Sequence, residues 1–391
     1  MTYPSIFNDV VGPVMRGPSS SHCAASLRVG RICRDLMDGK IGQVLIEFDP
    51  SGSLATTHEA QGSDMGLFGG FLGWEADDER LENAGQHLAT AGIQVDFRLS
   101  ELEEKHPNTY KITLAKDREK RELIAISTGG GMIEVISIDG SKVNMDGGYF
   151  ETLIYVSETG TIENYLREHV QLDNVEVHSR GDVTFIEAKS NKPLSEVHLE
   201  EIRNIEEVLF VKELKPVLPV LSRKDLKVPF ITCDEMLAYN ADKHLDLWEL
   251  ALHYESARGD ITHEEVMYHM KEIYEILKAA VHTGLKGTHY EDRILGSQSV
   301  KFKELMEGNR LIDSGALLNR IVMYVSAIME VKSSMGVIVA APTAGSCGAM
   351  PGSVLAVVDS LKLSEEDAIK ALLAAGLIGV FIAAHSTFAA E

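Results

Sequence analysis

The spacing of apolar residues changes near residue 230, and this change constrains the fold more than any other feature of the sequence. Upstream of it, short apolar stretches follow strand spacing and helix spacing in turn. Downstream, across residues 233–384, apolar residues recur every three or four positions, which is typical of packed helices. Residues 215–229 lie between the two patterns and contain Pro216, Pro219 and Pro229, so we predict a semi-rigid linker there. The expected fold class is therefore α+β, with a mainly helical C-terminal part.

Within the strand-rich part, residues 152–214 follow the order strand, helix, strand, strand, helix, strand. Gly181 and Asp182 form the predicted hairpin turn, and Ser195 is the predicted N-cap of the second helix. This βαββαβ order is typical of a ferredoxin-like unit, which often binds small regulatory molecules, although fold alone does not establish such a use. The predicted strands are 152–156, 175–178, 183–189 and 209–214, and the predicted helices are 162–169 and 195–208.

The segments on either side of this unit predict two further domains. Upstream, the mixed pattern indicates an α/β domain with helices 22–37 and 78–90 and strands 44–48, 93–99, 110–114, 123–127 and 133–138. Downstream, the predicted helices are 233–253, 263–283, 311–331, 354–360 and 364–384. The predicted domains are 1–148, 149–219 and 230–391.

Charge and composition limit the partners. A formal net charge of −22 repels polyanions, so we expect no nucleic-acid partner. Residues 1–9 lack the basic and apolar regions of a secretory signal, and four cysteines in 391 residues do not make a disulfide framework, so we expect a cytoplasmic protein. The uncharged stretch 371–390 is interrupted by His385, which leaves an apolar run too short for a membrane span, and no membrane partner is expected.

Two motifs could perform chemistry. Residues 17–22, Gly-Pro-Ser-Ser-Ser-His, precede a predicted helix, where hydroxyl and backbone N–H groups can bind a carboxylate or phosphate. The alternative is plain N-capping by one serine, with His22 a surface bystander. Residues 341–352 surround Cys347 with small side chains, which allow a ligand or inorganic cluster to approach, and a thiolate is a ligand that iron selects. The alternative is a lone buried cysteine.

Two weaker motifs favour structural explanations. Residues 129–131 are three glycines after a predicted strand, but they lack the lysine of a phosphate-binding loop, so a tight turn or bulge is the prediction. His58 and Asp64 could line a pocket, although capping of the next helix by Ser63 or Asp64 explains much of that segment. Zinc-finger spacing is absent from the sequence.

Taken together and in order, these motifs resemble those of the iron–sulfur L-serine dehydratases, also called L-serine ammonia-lyases, in the form with both parts fused in one chain. The residues that carry the resemblance are 5–7, Gly12, Pro13, 17–22, 52–55, 106–109, 129–131, 329–331 and 341–348. The resemblance implies a beta-chain-like N-terminal domain, an ACT-like regulatory middle domain and an alpha-chain-like helical catalytic domain. Cys23, Gln61 and Lys332 depart from residues that are usual in the family, which leaves details of the pocket open.

The same resemblance implies a cofactor, a substrate and roles for single residues. A four-iron four-sulfur cluster would be held by three cysteines, with Cys347 the first, and would act as a Lewis acid that removes the hydroxyl of L-serine to give pyruvate and ammonia. The next ligand cysteine would follow shortly after a segment like 387–391, so we expect this chain to stop before that cysteine. The catalytic domain would then be incomplete, and we expect activity to require the segment that contains the remaining ligands. A homodimer is expected from the family. The residues given roles are His22 (catalytic), Ser20 and Ser21 (substrate carboxylate), and Thr343, Ala344, Gly345 and Ser346 (substrate, on the side of the cluster).

Two alternatives remain at this point. A pyridoxal-phosphate dehydratase would need a Schiff-base lysine, and no lysine stands in a suitable small-residue loop before residues 129–131. A non-catalytic regulatory or ligand-binding subunit, using the ACT-like domain, is favoured by Cys347 being the single candidate ligand. Survival of the motifs at 19–22 and 342–348 counts against complete loss of the site.

Overall fold

The computed structural model describes residues 3–290, 296–311 and 315–386. Its described part contains a six-stranded sheet, a four-stranded sheet and a two-stranded sheet, followed by a helical region, which confirms the predicted α+β class. None of the helices in these ranges is long and apolar enough to cross a membrane.

The six-stranded sheet belongs to the N-terminal part and has the order β3-β2-β4-β5-β6-β7. Strands β2 and β3 are parallel, and every other pair is antiparallel. The predicted strands are confirmed, whereas β7 was not predicted. The strands are β2 (Gln43–Phe48), β3 (Gln94–Leu99), β4 (Thr109–Lys116), β5 (Glu119–Gly129), β6 (Met132–Ile138) and β7 (Ser141–Met145).

Helices α1 (Ala25–Leu36) and α3 (Ser63–Leu72) pack on this sheet and share its core. The two helices approach each other so closely that a Cβ atom on Gly70 of α3 would lie 2.3 Å from the carbonyl oxygen of Leu27 of α1. The predicted helix 22–37 begins only at Ala25, because a five-residue π-helical turn, Ser20–Ala24, precedes it. Two shorter helices, α2 (Leu54–Thr57) and α4 (Ala84–Thr90), complete this part, the latter after a 3₁₀ turn at Glu79–Asn83.

The middle unit has the predicted βαββαβ order, and its sheet order β11-β8-β10-β9 is that of a ferredoxin-like fold. The hairpin turn at Gly181 and the N-cap at Ser195, which accepts from the His198 N–H, are confirmed. One face of the sheet packs on the two helices, and the other contributes Tyr155 and Phe185 to the core of the six-stranded sheet. Its elements are β8 (Phe150–Val156), α5 (Gly160–His169), β9 (Asn174–Arg180), β10 (Val183–Ser190), α6 (Glu196–Arg203) and β11 (Val208–Leu214).

The region after the linker is helical, with one short strand. The predicted helix 233–253 is wrong, because a second helix begins after Asp246, whose carboxylate and that of Glu249 cap it reciprocally. Helix α10 was not predicted. The elements are α7 (Cys233–Asn240), α8 (Leu247–Gly259), α9 (His263–Lys286), α10 (Ser299–Glu307), α11 (Ala316–Ser333), β12 (Val337–Val339), α12 (Ala349–Leu361) and α13 (Glu365–Ala383).

Residues 6–11 contribute to the core of this helical region rather than to that of the six-stranded sheet. Ile6 and Val10 are buried there, against Gly376 and Gly379 of α13. Strand β1 (Val14–Arg16) pairs antiparallel with β12, so a segment near the start of the sequence and a segment of the helical region form one small sheet. Because the pair is antiparallel, Gly12 before β1 donates its N–H to the carbonyl of Ala340 after β12, and Gly17 after β1 donates its N–H to the carbonyl of Gly336 before β12.

Candidate active site

The two motifs that the sequence analysis singled out are in direct contact. Beyond the β1–β12 pair, the Ala344 N–H donates a hydrogen bond to Ser20 Oγ at 3.2 Å. Gly17 is packed so tightly against the end of α11 that a Cβ atom there would lie 2.0 Å from the carbonyl oxygen of Lys332, so no larger residue fits without a shift of the backbone. Residues 17–22 and 341–347 thus form one site across more than three hundred positions of sequence.

His22 is bonded through both ring nitrogens. Its Nδ1 lies 3.0 Å from Ser19 Oγ, and its Nε2 lies 3.1 Å from Thr57 Oγ1. The Thr57 hydroxyl donates its proton to the carbonyl of Ser53 at 2.7 Å, so the Nε2–H of His22 must donate to Thr57. Burial lowers the pKa of His22 and favours the neutral ring, in which Nδ1 accepts from the Ser19 hydroxyl. The surface-bystander interpretation of His22 is therefore wrong.

The serines at 19–21 are not ordinary helix caps. Ser19, at the N-cap position of the π-helical turn, makes no side-chain capping bond, which contradicts the plain capping alternative. Ser20 and Ser21 are buried, and the hydroxyl of Ser21 has no hydrogen-bond partner within the described residues. Ser20 uses its oxygen to accept from Ala344, which leaves its own proton available. The hydroxyls of Ser20 and Ser21 can therefore both donate hydrogen bonds to a ligand at the start of the helical segment.

Two further motifs of the resemblance extend the network from Thr57. The Ser53 N–H donates to the carbonyl of Pro107 at 2.9 Å, and the Ser53 hydroxyl donates to Oδ1 of Asn108. A Cβ atom on Gly52 would lie 2.8 Å from the same Pro107 oxygen. The contacts of Thr57 and Asn108 were not predicted, because nothing in their local sequence shows which distant polar group each would meet.

The Thr343 loop is ordered by its own hydroxyls and faces the triple-glycine turn. Thr343 Oγ1 and Ser346 Oγ lie 3.1 Å apart, and the Thr343 N–H donates to Ser346 Oγ at 3.3 Å. Ala344 is buried and Gly345 is exposed. The predicted turn at 129–131 is confirmed, with positive φ at all three glycines, and a Cβ atom on Gly130 would lie 3.4 Å from the Pro342 oxygen.

His58 and Asp64 form a pair beside the site, and the predicted capping of α3 is wrong. His58 Nδ1 lies 2.7 Å from Asp64 Oδ1, and burial raises the pKa of Asp64. Ser63 Oγ lies 3.1 Å from the hydroxyl of Tyr110. Gly62, in the left-handed conformation, occupies the N-cap position instead, because the hydroxyl and the carboxylate are engaged elsewhere.

Cys347 is buried at the end of the loop, and its Sγ lies 3.8 Å from Met329 Sδ. Burial raises the pKa of its thiol to about 12, an effect that the charge of Lys332 opposes. A cation or iron would have to stabilise the thiolate before this sulfur could act as a ligand.

The cysteines of this chain do not by themselves fit a cluster held by three thiolates. Cys33 lies in the core of the six-stranded sheet, Cys233 is exposed at the start of α7, and Cys23 is buried with its thiol pKa raised to about 12. Across the described ranges, no group of three adjacent metal-ligating side chains includes a cysteine. Cys347 can therefore supply one ligand, and the others would have to come from residues outside this set of four.

Comparison with known proteins identifies the family. Residues 242–391 match the family described as serine dehydratase alpha chain. The "Probable L-serine dehydratase, beta chain" of Bacillus subtilis (strain 168) is 38% identical over 163 residues, which are 41% of this chain and 73% of that protein. The chain belongs to the L-serine dehydratase family.

Other L-serine dehydratases support this assignment for both parts of the chain. The beta chain from Peptoniphilus asaccharolyticus is 30% identical over 205 residues, which are 50% of this chain and 91% of the relative. The probable alpha chain from Bacillus subtilis (strain 168) is 28% identical over 158 residues, or 40% of this chain. This chain spans 52% of the length of that alpha chain, so it covers about half of it.

Proposed function

We propose that this chain carries the L-serine site of an L-serine dehydratase, formed between residues 19–22 and residues 343–346. The observation that carries the proposal is the hydrogen bond from the Ala344 N–H to Ser20 Oγ. It joins the beta-like part to the part that matches the serine dehydratase alpha chain. Neither part alone contains both sides of this site.

In this proposal the substrate carboxylate lies against the Ser20 and Ser21 hydroxyls. Both hydroxyls can donate, and the partial positive charge at the start of the helical segment stabilises a carboxylate there. Thr343, Ala344, Gly345 and Ser346 form the opposite wall, where the exposed Gly345 leaves room for the substrate. Elimination of water from L-serine at this site would give 2-aminoacrylate, and hydrolysis of this product by one water would release pyruvate and ammonia.

His22 acts here as a positioning residue. Since Nε2 donates to Thr57 and Nδ1 accepts from Ser19, a neutral His22 fixes the direction of the Ser19 hydroxyl. This use of both nitrogens argues against His22 as the group that removes the Cα proton, although a catalytic role was predicted for it. No side chain is assigned as that base.

The resemblance to iron–sulfur members implies a four-iron four-sulfur cluster, which would supply a Lewis acid for the departing hydroxyl. Cys347 would hold it together with ligands that this chain's other three cysteines do not provide. For the middle unit we propose an ACT-like regulatory role on its ferredoxin-like sheet order. A homodimer is proposed from the resemblance alone.

Calorimetric titration of the 391-residue chain with L-serine tests the proposal. We expect saturable binding that Ser21→Ala weakens by about 10- to 100-fold, because a hydrogen bond to a charged group contributes roughly 1.5 to 3 kcal/mol. Ser353→Ala is the matched control, since that partly exposed serine on α12 donates to the carbonyl of Ala349 and to no other group among the described residues. No saturable binding, or equal binding by the two variants, would contradict the proposal.

A second measurement separates the substrate site from the cluster. After anaerobic treatment with iron and sulfide, iron content and pyruvate formation are recorded on the same sample. The single thiolate at Cys347 predicts little stable iron and no sustained turnover by this chain alone. Stable cluster binding that persists in Cys347→Ser would show that Cys347 is not a ligand.

The alternative function, a regulatory or ligand-binding subunit, would be favoured if an effector bound to the middle unit while L-serine did not bind at residues 19–22.

A further inference from the structure

A cavity of about 550 Å³ lies where five segments of the chain meet, and none of residues 19–22 or 341–347 lines it. It is lined by residues 7–14, by α1, by residues 75–77, by the linker around Pro216 and Pro219, and by α9. Its walls include the apolar side chains of Leu27 and Ile273. Its volume falls in the range of small-molecule sites, which occur preferentially between domains.

A buried guanidinium lines this cavity. Arg28 on α1 is 5% exposed, and its Nη1 donates to the carbonyl of Gly131 at 2.6 Å and contacts Met132 Sδ at 3.6 Å. Among the described residues, no carboxylate oxygen lies within 4.0 Å of it, and its Nε and Nη2 have no hydrogen-bond partner. The charges of Asp9 and Glu75 act on Arg28, but neither carboxylate reaches ion-pair distance, so the free Nε and Nη2 donors point to an anion that would complete the arrangement.

Charges at the rim define which anion fits. Arg31 Nη1 is paired with Glu75 Oε2 at 2.6 Å, and His269 Nδ1 lies 3.7 Å from Glu272 Oε2. Arg31 and His269 thus already have partners, and the rim carboxylates Glu75 and Glu272 would repel a multiply charged anion. Apolar walls and one unpaired guanidinium suit a single carboxylate on an apolar body.

We propose that this cavity binds a small monocarboxylate with an aliphatic body, held by the Nε and Nη2 donors of Arg28. This site is separate from the proposed L-serine site, and its existence does not depend on that function. The Gly131 carbonyl that Arg28 holds belongs to the glycine turn facing Pro342, so the two sites share one structural element.

Calorimetric titration of the 391-residue chain with 3-methylbutanoate tests the proposal, with 3-methylbutanamide as the uncharged analogue. We expect saturable binding of the acid and at least about tenfold weaker binding of the amide, since the charge-assisted hydrogen bonds are lost. Inorganic phosphate should not compete. No saturable binding of the acid, equal binding of acid and amide, or displacement by phosphate would overturn the proposal.

Matched variants locate the site. Arg28→Gln should weaken binding by about tenfold or more, whereas Arg34→Gln, on the same helix and also bonded to a backbone carbonyl, should not. Because Arg28→Gln could disturb the fold through Gly131, Ile276→Trp offers an independent test by filling the cavity from α9. The control is Leu237→Trp, an exposed position on α7. Unchanged binding in Ile276→Trp would place the ligand elsewhere.

Discussion

Glu255 holds the N-terminal segment that carries the proposed site, and it makes the stability of the protein depend on pH. This residue of α8 is fully buried, accepts a hydrogen bond from Ser5 Oγ at 2.5 Å on Oε1, and accepts from the Ile6 N–H at 2.8 Å on Oε2. Burial raises the pKa of Glu255 to about 7, although the bonds from Ser5 and Ile6 and the charge of Arg258 oppose this. In the unfolded chain a glutamate has a pKa of about 4.3.

The sign of the effect follows from proton binding. Between roughly pH 4.5 and pH 7 the folded protein retains a proton on Glu255 that the unfolded chain has lost, so the free energy of unfolding decreases as the pH rises through this window. A pKa difference of between two and three units corresponds to a loss of about 3 kcal/mol, complete above pH 7. Glu255→Gln resembles the protonated carboxyl and does not titrate.

The assay is urea unfolding of the wild type and of Glu255→Gln at pH 4.5 and pH 8, at constant ionic strength. Between pH 4.5 and pH 8, the free energy of unfolding of the wild type should fall by about 3 kcal/mol more than that of Glu255→Gln. Glu264→Gln, an exposed glutamate of α9, is the control and should give parallel profiles. Parallel profiles for Glu255→Gln as well would refute the reasoning.

Two further predictions concern packing and the His22 network. Gly70→Ala should destabilise the protein by about 1 to 3 kcal/mol in urea unfolding, because its Cβ would meet backbone atoms of α1. The control Gly85→Ala, whose Cβ meets nothing closer than 3.8 Å, should stabilise by about 0.5 to 1 kcal/mol, and loss of stability in both would contradict the packing argument. Thr57→Val should lower the free energy of unfolding by about 1 to 3 kcal/mol and weaken L-serine binding, since the Nε2–H of His22 loses its acceptor. Thr90→Val removes the same kind of hydroxyl-to-backbone bond on an exposed helix, and an equal effect on L-serine binding there would exclude a specific role for Thr57.

Local patterns predicted the parts of the fold that depend on neighbouring residues. The βαββαβ unit was predictable because its alternating strands, the turn at Gly181 and the cap at Ser195 are each encoded within a few positions. The predicted helix 233–253 failed because helical apolar spacing continues across the break, whereas the capping pair of Asp246 and Glu249 starts a new helix.

The candidate site depends on contacts that local patterns do not contain. Residues 17–22 and 341–347 were each predicted as candidate motifs, but their meeting requires the pairing of β1 with β12 from opposite ends of the sequence. The burial of Ile6 among the C-terminal helices was not predictable either, because an apolar residue near the start of a sequence does not specify which core it joins. Thr57 became visible only when the fold placed it beside His22.

The central claim is that residues 17–22 and 341–347 form one L-serine site. Amide hydrogen exchange, measured peptide by peptide with and without saturating L-serine, tests this most directly, because exchange reports local opening at each segment. We predict that L-serine slows exchange in peptides covering 17–25 and in those covering 341–349, with no change in the ferredoxin-like unit across β8 to β11. Protection of one segment without the other, or protection confined to the ferredoxin-like unit, would contradict the account.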